Sequence, residues 1–146
     1  MSTGVVIRIS ILLRWAICAF AIIGLALSVA SLVAHYKTTA TDYCDIGETF
    51  NCDIVNRSIY SAIGPVPVAG IGAAGYAVLI ALSFFRKRRA AFLMFSGALA
   101  GLGFALYLTY IEAYVLVTWC ILCLGSLAMI TMITLLSGWH VVRLQR

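Results

Sequence analysis

The sequence predicts an all-α membrane protein built as a bundle of four transmembrane helices, and three observations predict it. Of the 146 residues, 64% are hydrophobic and only 10% are charged, where a soluble domain carries about 25% charged residues. Four apolar stretches approach the roughly 20 helical residues needed to cross a hydrocarbon layer of about 30 Å. The basic residues gather at the ends of those stretches, as membrane topology requires. A core of this size cannot hide so much apolar surface, so the remainder faces lipid.

The first span covers residues 15–34, after a basic start containing Arg8 and Arg14. That start and the small residues from Ala26 onward resemble a signal peptide, but the apolar run is long for one, which favours a retained helix. A loop from 35 to 67 follows and holds four of the five acidic residues, Asp42, Asp45, Glu48 and Asp53. The second span covers 68–85, and Arg86, Lys87, Arg88 and Arg89 separate it from the third, 91–111. Only Glu112 and Ala113 stand between that span and the fourth, 114–136, so a tight antiparallel hairpin with a solvated Glu112 is expected. Arg143 and Arg146 follow. Residues 1–146 form one domain.

The three basic regions must share one side of a four-span protein, and excess lysine and arginine mark the cytoplasmic side. Both termini are therefore expected in the cytoplasm and the acidic loop outside, in the cell inner (plasma) membrane. A net charge of +5 invites a nucleic-acid reading. No recognition motif accompanies the charge, and topology accounts for it.

Five cysteines carry the chemistry: Cys18, Cys44, Cys52, Cys120 and Cys123. Cys18 lies within an apolar helix and reads as a packing residue. Cys44 and Cys52 sit in the outer loop, in YCDIGETFNC, and Cys120 and Cys123 in TWCILC, six and nine residues into the fourth span. Both pairs thus lie on the side where disulfides persist. Residues three apart on a helix are neighbours, and a helix N-terminus favours the thiolate, the reactive form. Two such pairs in series make a relay by disulfide exchange, with the mobile loop pair carrying electrons to the buried one. A staple within one helical turn constrains almost nothing, which weighs against the alternative, a non-catalytic four-span scaffold with structural disulfides. A four-cysteine zinc site fits the spacing poorly, so no metal is expected.

These residues resemble the vitamin K epoxide reductase family in its compact prokaryotic form. The likeness runs through Cys44 and Cys52, Ser58 six residues on, GPVPVAGIGAAGY opening the second span, and YLTYIEAYVLVTWCILC across the hairpin. It implies a four-helix bundle around a quinone, with a short outer capping helix at about residues 53–63, near whose start Asp53 and Asn56 stand. It implies a quinone-dependent thiol-disulfide oxidoreductase supporting disulfide formation. Cys123 resembles the cysteine that reacts with the quinone, Cys120 its resolving partner, which exchanges with Cys52, and Cys44 the residue that accepts electrons from a periplasmic thioredoxin-like protein. Val55, Ser58, Tyr60 and Leu108 fall where the family lines or caps the quinone pocket. Two departures stand out. Leu127 occupies the place of a tyrosine in the animal enzymes, and no asparagine occurs in the second span. Both point toward an unmodified quinone, ubiquinone or menaquinone, rather than vitamin K epoxide. With no fused thioredoxin-like domain in these residues, the thiol partner is expected to be a separate protein.

Other signals have plainer readings. Gly70, Gly72 and Gly75 spell a dinucleotide fingerprint but open a membrane span instead of following a strand, so helix packing is expected there. Gly97 and Gly101 read the same way. Asn56-Arg57-Ser58 matches a glycosylation acceptor but falls in the expected cap. Tyr107, Tyr110, Tyr114 and Trp119 read chiefly as an interfacial aromatic belt.

Overall fold

A computed structural model describes residues 3–39 and 42–145; Arg146, one of the residues used above for topology, lies outside them. The chain is an all-α membrane protein. Helix α1 (Thr3–Tyr36) leads into two short hairpin strands, β1 (Asp45–Ile46) and β2 (Phe50–Asn51), paired antiparallel. A one-turn helix α2 (Cys52–Asn56) follows, then a 3-10 turn (Ile59–Ser61) and a second minimal hairpin, β3 (Ala62–Ile63) with β4 (Val66–Pro67). Helices α3 (Val68–Phe84), α4 (Arg88–Ile111) and α5 (Ile121–Gln145) complete the chain.

Helices α1, α4 with its continuation, and α5 are long and apolar enough to cross a membrane. Helix α3 is apolar but has 17 residues, about 26 Å of helix at 1.5 Å per residue. The four long helices form a ring in which α1 packs on α3 and α5, and α4 on α5 and α3. Ile17, Ala21, Tyr76, Leu79, Met94, Ala98, Ile130 and Ile133 fill its centre. Large apolar side chains such as Leu12, Ile22, Val78, Leu99 and Leu135 point outward, an arrangement that lipid stabilises and water does not. Polar groups are placed inside. Ser28, Ser31, Thr134, Ser137 and His140 are buried, and Thr134 and Ser137 donate to the carbonyls of Ile130 and Thr134.

Small residues set the helix spacing. A Cβ at Gly24 would lie 2.3 Å from the Tyr76 ring, and one at Gly72 would lie 3.2 Å from Ser28 Oγ. The expected packing role therefore holds for Gly72 against α1, whereas Gly75 opens onto free space beside the cavity described below. Gly24→Ala is expected to displace Tyr76 and break its hydroxyl bonds to the Ser126 carbonyl (2.8 Å) and Oγ (2.9 Å). Overpacking of this kind costs about 1–3 kcal/mol; thermal unfolding in detergent checks it, with Gly103→Ala, where nothing lies within 4 Å, as the control.

At the basic end, the Arg14 guanidinium donates to the Ser83 and Phe85 carbonyls and closes the C-terminus of α3. Such carbonyls have no partner within their own helix.

The structure corrects three boundaries. The cap is not one helix over residues 53–63. Ser58 and Ser61 turn their hydroxyls onto the carbonyls of Val55 (2.8 Å) and Ser58 (2.7 Å), a local bonding pattern that competes with helix propagation. Asn56 accordingly ends α2 instead of opening a helix, and Asn51 caps its start by accepting from the Ile54 N–H at 3.0 Å. The third correction concerns the hairpin between the last two spans. The chain continues past Ile111 as a π-helical turn (Glu112–Leu116), reverses at Val117 with φ 51°, and runs as a link to Cys120 before α5 begins. The fourth helix thus starts seven residues later than position 114, and its cysteines stand at its first turn instead of six and nine residues inside.

Candidate redox site

Two strips of backbone bring the cysteines together. The loop segment entering α2 and the link entering α5 run parallel, bridged at Phe50 and Trp119. The Trp119 N–H donates to the Thr49 carbonyl at 3.0 Å, and the Asn51 N–H donates to the Trp119 carbonyl at 3.1 Å. Each strip then ends in a cysteine at the mouth of a helix. The ladder therefore sets Cys52 beside Cys120, with their sulfurs 3.4 Å apart.

Cys44 and Cys52 form a disulfide with Cα atoms 5.6 Å apart. Both are buried, in a cluster with Val55, Cys120 and Leu122. The loop pair expected to be mobile is instead packed against the inner pair. Contact between the two pairs needs no swing of the loop, because the Cys52 and Cys120 sulfurs already touch.

Cys120 and Cys123 are free thiols. Cys120 immediately precedes Ile121, so its sulfur occupies the capping position of α5 and accepts the Cys123 N–H at 3.3 Å. Asn56 Nδ2 adds a second donor at 3.7 Å while also bonding the Cys52 carbonyl at 3.0 Å. The Cys120 thiol is held below its usual range, first by its hydrogen bond with the Cys123 side chain, against the opposing effects of burial and the Glu112 charge. A sulfur with a lowered pKa, backed by a helix N-terminus, is the better nucleophile and the better leaving group at neutral pH.

The other side of the pair opens on a cavity of about 610 Å³. Cys123 lines it, together with Glu112, Ser126 and Tyr76, and the walls run down between α3 and α4 past Leu79 and Gly97. Val55, Ser58, Tyr60 and Leu108, picked from the resemblance, all lie on its lining. The volume and the mostly apolar wall with a few polar groups are those of a small-molecule site. Of the expected belt residues, Tyr107, Tyr110 and Tyr114 are exposed, while Trp119 contributes its backbone to the ladder.

Two residues at the centre escaped the sequence reading. Glu112 is 2% exposed, not a solvated turn residue, and Oε2 of its carboxylate accepts the Cys120 N–H at 3.1 Å. The reversal at Val117 folds the turn back so that residue 112 meets residue 120. Asn56, in the sequence only a residue near an expected helix start and part of a glycosylation motif, is buried against two of the cysteines. A lone acidic residue beside an apolar run was the available signal for Glu112; for Asn56 there was none.

The family model for the vitamin K epoxide reductase family matches residues 15–137, the span that holds the ring of helices and all four clustered cysteines. The chain belongs to the vitamin K epoxide reductase family. A comparison with individual curated proteins returned no match. This vitamin K epoxide reductase homologue is therefore a redox membrane protein of an oxidoreductase family. Its matched region includes the loop cysteines, the CxxC pair and the cavity between them and α3.

Proposed function

We propose that this vitamin K epoxide reductase homologue is a quinone-dependent thiol-disulfide oxidoreductase that makes disulfides in a separate thioredoxin-like protein. The observation that carries the reading is the division of the inner pair: Cys120 touches Cys52, and Cys123 lines the cavity. A relay needs one sulfur facing each way. The cavity wall suits a quinone ring, with Val55, Ser58, Tyr60 and Leu108 around it and Cys123 as the group presented to it.

The partner's dithiol reduces the Cys44–Cys52 disulfide and is itself oxidised. The Cys52 thiolate attacks Cys120 of the Cys120–Cys123 disulfide, forming Cys52–Cys120 and releasing Cys123. Cys44 then attacks Cys52, restoring the outer disulfide and freeing Cys120. The inner dithiol re-forms its disulfide as two electrons and two protons pass to quinone, ubiquinone or menaquinone, which supplies the oxidising power. The state with an outer disulfide beside an inner dithiol is the one poised for that last step.

In this reading all four long helices span the plasma membrane, α3 as the shortest, with the arginine end cytoplasmic and the cysteine end periplasmic. The basic side chains at one end and the acidic loop at the other support it. The test is anaerobic mixing of the purified protein with a reduced thioredoxin-like protein and a quinone, followed by absorbance. Quinone reduction that depends on the dithiol protein is expected; none with ubiquinone or menaquinone would sink the reading.

A further inference from the structure

Glu112 is the only acidic residue after Asp53. It is buried, and among the described residues no basic side chain pairs with it. An unpaired carboxylate held out of water costs several kcal/mol, so its place calls for a use. Its neighbours are the residues of the reacting pair: the Cys120 N–H donates to Oε2 at 3.1 Å, and the Cys123 N–H donates in turn to the Cys120 sulfur at 3.3 Å. Its side chain also forms part of the cavity wall beside Cys123.

The proton count of the reaction defines the task. Two thiols forming one disulfide release two electrons and two protons, and the quinone takes up both. The electrons have a path through Cys123, but the protons need a carrier in a cavity walled mainly by apolar groups. The other titratable groups on that wall are less suited. The Tyr76 hydroxyl is engaged with Ser126, and Tyr60 belongs to the partly exposed cap.

We propose that Glu112 is the proton carrier of quinone reduction, taking the Cys123 thiol proton on its carboxylate and delivering it to the quinone oxygen in the cavity. Glu112 ends the cycle unchanged, and the second proton follows by the same route from Cys120. The inference rests on the quinone-reductase reading, and its test separates the two.

The decisive variant is Glu112→Gln, which keeps an oxygen to accept the Cys120 N–H but cannot carry a proton. Quinone reduction by the full-length variant is expected to fall about 100-fold or more. Reduction of its cysteines by dithiothreitol, followed by mass shift on alkylation, should not fall, because losing the Glu112 charge favours the Cys120 thiolate. The second readout uses no quinone. The infrared difference spectrum of wild-type protein on oxidation of its dithiol by ferricyanide, which takes the electrons but not the protons, should gain a protonated-carboxyl band, because a thiol proton then passes to Glu112. That band should be missing from Glu112→Gln. Glu112→Asp, which keeps a carboxyl group, should retain part of the activity and the band. A retained rate in Glu112→Gln or a missing wild-type band overturns the proposal, and the band decides alone if the glutamine variant does not fold. A wild-type protein unable to reduce quinone overturns the parent reading instead.

Discussion

Cys123→Ser should abolish quinone reduction and leave a disulfide between Cys52 and Cys120. The serine is nearly isosteric, and Cys123 is not among the residues that fill the centre of the bundle, so the fold should survive. With Cys123 gone, Cys120 has lost the partner that completes its disulfide. Its sulfur still faces Cys52 at 3.4 Å. Attack there forms Cys52–Cys120, breaks Cys44–Cys52 and leaves Cys44 as a thiol. Loss of a reacting group of this kind costs about 10³-fold or more in turnover. Acid quenching, alkylation and peptide mapping under non-reducing conditions would show the linkage. Cys120→Ser should be equally inactive but trap nothing, since the attacking sulfur is the one removed. A trapped Cys44–Cys120 bond, or residual turnover in Cys123→Ser, would reverse the roles given to the two ends of the relay.

Asn56→Ala should slow exchange between the two pairs by about tenfold to a hundredfold. A hydrogen bond to a charged group is worth roughly 1.5–3 kcal/mol, and Asn56 Nδ2 is one of the donors on the Cys120 sulfur. The sign follows from the charge. A donor to sulfur favours the thiolate, so removing it raises the pH at which Cys120 becomes reactive. The alkylation profile of Cys120 in quinone-free protein should therefore move to higher pH, while circular dichroism stays unchanged. A merely structural asparagine would lower thermal stability and leave that profile where it was. The expected shift would mark Asn56 as a residue that acts through Cys120, by positioning it.

Much of the fold was legible because membrane insertion constrains sequence strongly. A hydrocarbon layer demands long apolar runs, and the charges excluded from it collect at their ends. Those two demands located all four long helices, the acidic loop and the shared end of the basic clusters. The two cysteine pairs were legible for a related reason: CxxC has a short, local meaning. What the runs hid was a break inside one of them. YVLVT is apolar whether it is helical or not, so nothing in its hydropathy signalled the π-helical turn and the reversal at Val117. The onset of α5 and the capping position of Cys120 were lost with it. The break in the cap has a different local cause, the serine hydroxyls that bond back to their own backbone.

The residues themselves determined that this chain lives in a membrane, that its helices run between an arginine end and a cysteine end, and that four of its cysteines fall in two spaced pairs. Only the tertiary structure decided which sulfur faces which way. The pairing of Cys52 with Cys120 comes from a parallel backbone ladder between segments 68 residues apart, and the burial of Glu112 comes from a turn that folds it onto Cys120. Hydrogen bonds between distant segments leave no period and no composition in the sequence. They exist only once the chain has closed on itself.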